Sequence, residues 1–407
     1  MHSPFFSTHS DRVTLARQRY FEDGQLPSGV VNEAIFQSWT RCLRARQNPR
    51  SAMEFLQVSQ SRVQLAMHKN HLLLESWNSE APSVEAALGA TNCAAMLMDA
   101  SGVIIGSACV GRSHEKIIPL STRLGVNLSE EAVGTTAPGI VARTGRKISV
   151  LGPEHFFDTS NTMHCAAAPI RDIHGKLAGI LDISSEEKAF TFDAASVVGV
   201  FAATIENRLL IAQSSEHVVV RMQISPSLLD TPMAGLIGID FAGKVVWRNA
   251  VASRFLGLAD SITDDIHGDA ESLLGCGLRE LVLLHGPAAL RLPTGLMIYV
   301  HVEMPVQDGR RRFFAPDPCG MPAEPEEIAA PVSKPDAAQD GQVAAGMAGA
   351  VSDSRAQPAS LREADADLIL KAVKESNGNI AAAARKLKVS RGLVYRRLRA
   401  EKAGRLD

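Results

Sequence analysis

The chain is poor in the features that staple or anchor a fold. Its six cysteines, Cys42, Cys93, Cys109, Cys165, Cys276 and Cys319, stand singly with no C-x-x-C pair. That spacing argues against a disulfide scaffold and a zinc finger. The best uncharged apolar run, Ser196 to Ile205, is half of the roughly 20 residues that cross a bilayer. Residues 1–10 show no basic flank followed by an apolar core, so no targeting segment is expected and a soluble protein of a reducing cytoplasm is. Charge of either sign is not in excess: 42 Lys+Arg face 44 Asp+Glu for a net of −2. The sequence also lacks a G-x-S-x-G elbow, an H-E-x-x-H helix and a complete Walker motif. Gly238 to Val245 nearly spells a P-loop, but Val245 has no hydroxyl to hold Mg²⁺ and the segment reads as a hairpin. No enzyme, metal or cofactor is expected.

What is present is apolar content, 45% of 407 residues, enough for two to four domains at about 100–200 residues each. One boundary is plain. From Ala315 to Ser360, 23 of 46 residues are Ala, Pro or Gly and none is aromatic. That composition buries too little surface to offset its ordering entropy, which predicts a disordered linker over 315–360, spanning about 35–40 Å as a random coil. Beyond it, Leu361 to Asp407 carries 12 basic against 6 acidic residues, net +6, leaving 30 against 38, net −8, in the first 360. The near-neutral total therefore hides a small basic module behind an acidic body.

Within that body an apolar run, an Asp-x-x-Gly turn and a second β-rich run recur three times, at Asp99–Gly102, Asp172–Gly175 and Asp240–Gly243. Asp opens such a turn and Gly accepts its positive φ, so each copy predicts a hairpin. Helical patterns cover Asn32 to Arg46 and Glu187 to Gln213, the latter with Val197, Val198, Phe201, Ile205 and Leu209 at 3- and 4-residue steps. Hairpins interleaved with helices indicate an α+β multidomain chain. The expected parts are an N-terminal helical region over 1–80, an α/β sensor over 81–213, a second α/β domain over 214–314, the linker, and an all-α module over 361–407.

The last module carries the most specific pattern. A helix over Ala364–Ser376 stops at Asn377-Gly378-Asn379; a second runs Ile380 to Leu387, and a third comes after the cap Ser390. Two helices joined by a tight turn make a helix-turn-helix. Seven basic residues and no acid lie between Ile380 and Ala400, as suits a face laid on phosphates. Arg391, Gly392, Tyr395, Arg396 and Arg399 share the outer face of the last helix, with Arg397 at its edge. Arg391, Tyr395, Arg396 and Arg399 are the expected DNA contacts, with Ser390 and Gly392 beside them; Arg385, Lys386 and Lys388 add phosphate attraction. The segment resembles the Fis-type helix-turn-helix that closes bacterial enhancer-binding activators, through Asn377–Ile380, Ala383–Leu387, Val389–Arg391 and Val394–Leu398. It departs at Gly392 and Leu393, where that family has small hydroxyl residues, which puts the site preference in question.

Leu124 to Ser185 resembles the GAF domain of the acetoin-type activators, which end in the same module. The resemblance rests on Glu131–Gly139, His155-Phe156, His164–Ile170 and Gly179–Ser184, together with Ser38–Cys42 near the N-terminus. It implies a small-molecule receptor, and places Thr135, Thr136, His155, His164 and Cys165 as effector-binding residues. Metal ligation and a His/Cys nucleophilic pair are the alternatives for these side chains. No third fixed ligand is evident, the adjacent His164 and Cys165 point to opposite faces of a strand, and Asp182 equally fits a strand end, which favours pocket lining or core packing. Met233 to Leu258 looks like the opening of a PAS domain, with Arg291 to Met304 supplying later strands; a dimerisation domain without a ligand fits equally.

The acetoin-type activators carry an ATPase domain between sensor and DNA-binding module, and here the 315–360 linker stands in its place. The expected function is thus a ligand-responsive, sequence-specific transcriptional regulator without ATPase activity. Its expected partners are double-stranded operator DNA, a small-molecule effector, a second copy of the chain and RNA polymerase. The alternative is a constitutive, Fis-like architectural DNA-binding protein whose body only dimerises.

Overall fold

The computed structural model describes residues 8–27, 29–109, 115–258 and 268–304. The expected linker (315–360), the helix-turn-helix (361–407) with all its DNA-contact residues, and residues 305–314 of the second α/β domain lie outside the described residues.

Four helices open the chain: α1 (His9–Asp23), α2 (Glu33–Arg44), α3 (Gln60–Lys69) and α4 (His71–Leu88). Asn32 caps α2 by accepting from the Ala34 amide. The helix ends at Arg44, two residues short of the sequence expectation, because Arg46 adopts a positive φ of 61°. Helix α4 runs across position 80, so the sensor's first packing helix begins inside the region expected to precede it.

Strands β1 (Cys93–Asp99) and β2 (Ile104–Ala108) form the first hairpin; short helices α5 (Ile118–Ser121), α6 (Glu130–Val133) and α7 (Ala137–Thr144) precede β3 (Ile148–Leu151), β4 (Met163–Arg171) and β5 (Leu177–Glu186). The five strands make one antiparallel sheet in the order β2-β1-β5-β4-β3. All three Asp-x-x-Gly segments are hairpin turns of one design. Asp99, Asp172 and Asp240 each accept from the amides two and four residues on, at 2.9–3.0 Å. Gly102, Gly175 and Gly243 close the turns at φ of 85°, 70° and 85°. The P-loop-like stretch is therefore strand, turn and strand.

Both faces of this sheet are buried, and period 2 along β1 and β5 sorts their side chains. Ala95, Leu97, Leu181 and Ile183 face α4 and helix α8 (Ala194–Gln213). Ala94, Met96, Met98 and Ile180 face the loops and α2. Helix α8 starts seven residues later than its apolar pattern, since β5 continues to Glu186 and Asp193 supplies the cap, accepting from the Ser196 amide at 3.1 Å. By length and composition α8 is apolar enough to cross a membrane. Its inner face, Ala194, Val198, Ala202, Ile205 and Leu209, is instead buried on the sheet.

A second antiparallel sheet comes next, from β6 (Val218–Gln223), β7 (Gly235–Ile239), β8 (Val245–Arg248), β9 (Ala288–Arg291) and β10 (Met297–Glu303), in the order β8-β7-β6-β10-β9. Helices α9 (Ala250–Phe255), α10 (Ala270–Leu274) and α11 (Leu278–Val282) cover one face. The end of α8 reaches the other, where Leu210 packs with Val219, Leu236 and Trp247. The hairpin, Asn249 and small helix expected from the sequence are present, and β6 holds the central position between β7 and β10.

Candidate ligand-binding cavity

On the loop side of the first sheet lies a cavity bounded by Met96 of β1, Met163 and Cys165 of β4, and Asp182 and Ser184 of β5. Its roof comes from Thr136 and Pro138 at the head of α7, from His155, and from Met53 and Phe55 in the segment between α2 and α3. The cavity volume is about 30 Å³. One water fills about 10–15 Å³, so the cavity suits a very small molecule.

Strand register assembles the polar wall. Cys165 sits opposite Ser184, and Asp182 lies between Ala167 and Met96. A turn ending at Glu154 brings His155 over β4, where Nδ1 lies 3.0 Å from the Gly152 carbonyl and Nε2 lies 3.4 Å from Cys165 Sγ. Ser184 Oγ lies 3.1 Å from the same sulfur and 2.6 Å from Asp182 Oδ2. The four side chains form one buried hydrogen-bonded chain, and Asp182 Oδ1 at its end has no partner.

Burial sets the electrostatics. It raises the Asp182 carboxyl to about 7, against the opposing hydrogen bond from Ser184. It lowers His155 to about 4 and pushes the Cys165 thiol well above its ordinary value, with the Asp182 charge adding to the latter. A neutral imidazole beside an un-ionised thiol is not an activated nucleophilic pair, because the thiolate is the nucleophile. Among the described residues no group of three or more His, Cys, Asp or Glu is placed to hold a metal.

Of the five residues singled out in the sequence, the structure brings Thr136, His155 and Cys165 to the cavity. Thr135 is turned away, its hydroxyl 2.8 Å from Ser38 of α2. His164 faces the opposite side of β4 from Cys165, with its ring against Phe190. Sequence reading missed Asp182 and Ser184 as cavity residues. The available signal was an acidic residue within the apolar run of β5, two positions from a serine, which period 2 places on one face.

The Ser38–Cys42 motif acts at the edge of this site. Arg41 grips Glu130 at 2.6 and 2.7 Å, and Ser38 donates to the same carboxylate at 2.6 Å. Trp39 donates to the Glu154 carbonyl at 2.8 Å, next to His155. Helix α2 thus fixes both loops that roof the cavity.

Residues 81–209 match the family model of the GAF domain, and residues 360–400 match that of the bacterial regulatory protein, Fis family. The chain is 27% identical over 254 residues to the acetoin catabolism regulatory protein of Cupriavidus necator, an alignment covering 61% of this chain and 38% of that protein. It is 28% identical over 167 residues to the acetoin dehydrogenase operon transcriptional activator AcoR of Bacillus subtilis, covering 41% of this chain and 28% of that protein. The chain therefore matches less than two fifths of the length of these relatives. Among solved structures, the Escherichia coli DhaR(N)–DhaL complex aligns with 68% of this chain and 100% of that chain, at 17% identity and a TM-score of 0.42. The chain thus joins a GAF domain to a Fis-family DNA-binding segment, the composition of a transcriptional regulator.

Proposed function

We propose that the protein is a cytoplasmic, effector-responsive transcriptional regulator whose GAF cavity receives a small molecule and whose C-terminal helix-turn-helix binds operator DNA. The buried cavity with one unpartnered carboxyl oxygen, in a chain that also carries the Fis-family match, is the observation that supports this reading most strongly. An unpartnered buried acceptor is costly unless something pairs with it.

The regulator acts as a homodimer, since two-fold proteins of this class read half-sites about 34 Å apart. It works without an ATPase domain of its own: the 315–360 linker joins sensor to reader, and control passes through DNA occupancy or contact with RNA polymerase. The 214–314 region, which holds the second sheet, is a PAS-like module coupled to the sensor through α8. Two relatives named for acetoin catabolism and acetoin dehydrogenase operons make small catabolites the first compounds to try.

The test is fluorescence anisotropy of the full chain on DNA upstream of its own gene, across a salt series and with candidate effectors. Steeply salt-dependent binding that shifts with an effector supports the proposal. Binding indifferent to every effector supports the architectural alternative, and no binding at low salt overturns both.

A further inference from the structure

The hydrogen-bonded chain in the cavity has a definite polarity. Nδ1 of His155 faces a carbonyl, the Gly152 oxygen, and must carry a proton to donate to it. In a neutral ring Nε2 is then an acceptor, and the atom beside it is Cys165 Sγ. The thiol proton points to His155, which leaves the sulfur to accept from Ser184 Oγ. Ser184 has one proton, so its 2.6 Å contact with Asp182 Oδ2 is satisfied when the carboxyl donates to the hydroxyl. Every donor from Asp182 to Gly152 is then used once. What remains is Oδ1, a buried carbonyl-type acceptor on the cavity wall with no protein partner.

We propose that Asp182 anchors the effector, its Oδ1 accepting one hydrogen bond from an O–H or N–H of a small neutral molecule whose apolar remainder lies against Met53, Phe55, Met96 and Met163. This rests on the sensing role proposed above and specifies its chemistry. With Asp182 neutral, neither a carboxylate nor an ammonium would find an opposite charge in the wall to replace its lost water. A ketone of the same size brings an acceptor to an acceptor. At about 30 Å³ the cavity has room for about two or three water-sized groups, so the guest is no larger than a small alcohol.

Saturation-transfer NMR titrations of the full chain with 1-butanol, butanone and n-butylammonium test this, on the wild type, Asp182→Asn and Asp182→Leu. Asparagine can donate to Ser184 and still present a carbonyl oxygen to the cavity, whereas leucine presents none. The expected result is 1-butanol binding at least tenfold tighter than butanone or butylammonium, retained within threefold in Asp182→Asn and lost in Asp182→Leu. If Asp182→Leu does not fold, the wild-type ranking and the retention in Asp182→Asn decide. Equal binding of 1-butanol and butanone, or undiminished binding in a folded Asp182→Leu, overturns the anchor while leaving the cavity as a sensor. Absence of binding by all three probes overturns the anchor and the sensing role together.

Discussion

Arg41 and Glu130 meet through two parallel hydrogen bonds, from Nε at 2.6 Å and Nη2 at 2.7 Å, joining α2 to the first residue of α6, ahead of Thr136. The carboxylate is buried and the guanidinium half-buried, so removing the cation strands a charge that Ser38 alone cannot satisfy. Arg41→Ala is expected to lower stability by about 3 kcal/mol, read from urea unfolding of the full chain. Arg41→Lys keeps the charge but loses the bidentate fork, and falls between the two. A loss under about 0.5 kcal/mol would show that α2 does not secure the cavity roof.

Asn249 does comparable work in the second sheet. Its side chain accepts from the Leu236 and Ala252 amides and donates to the Ala234 carbonyl and to Asn207 of α8, at 2.9–3.0 Å. Asn249→Ala leaves these buried groups unpaired and is expected to cost about 2–4 kcal/mol. Hydrogen exchange of the Leu236 and Ala252 amides locates the loss; unchanged protection would contradict it.

The pH dependence of stability isolates Asp182. Its folded value of about 7 lies above the ordinary 3.8, so the native state holds a proton that the unfolded state releases. The stabilisation is present in full below about pH 3.8 and fades as the pH rises toward 7. Glu206 titrates with the same sign and His155, lowered to about 4, with the opposite sign. Both remain in Asp182→Asn. That variant therefore gains stability relative to the wild type as pH rises from 5 to about 7, then levels off. Parallel profiles in urea unfolding at pH 5, 6, 7 and 8 would contradict a neutral Asp182.

The three hairpins were legible because Asp-x-x-Gly states its own geometry: one carboxylate caps two amides and one glycine takes the positive φ. Helix α8 was legible in its stripe but not in its start, since Ala189, Phe190 and Phe192 extend the apolar pattern upstream and only the Asp193 cap interrupts it. In the cavity, Cys165 and His155 were visible as unusual residues near motifs. Asp182 reads in the sequence equally as a strand end, because its place in the cavity depends on strand register and on three other side chains, two of them far off in sequence. Met53 and Phe55 belong to the cavity only through the docking of α2, which a local pattern does not encode.

At the DNA-binding end, Arg396→Ala is expected to weaken operator binding by about 1–3 kcal/mol and relax one base position if Arg396 reads a base. Lys388→Ala is expected to weaken all sequences alike and reduce the salt slope by about 1, as a phosphate contact does. Anisotropy titrations on the operator and on scrambled DNA separate the two, and equal losses on both DNAs for Arg396→Ala would reassign it to the backbone.

The decisive observation is genomic occupancy of the full chain in cells grown with and without small alcohols and ketones as carbon sources. A ligand-responsive regulator gives discrete peaks over pseudo-palindromic sites, peaks that change with the carbon source and vanish when Arg391, Arg396 and Arg399 are replaced by alanine. Occupancy that is unchanged by carbon source, or that persists in the triple variant, would contradict it.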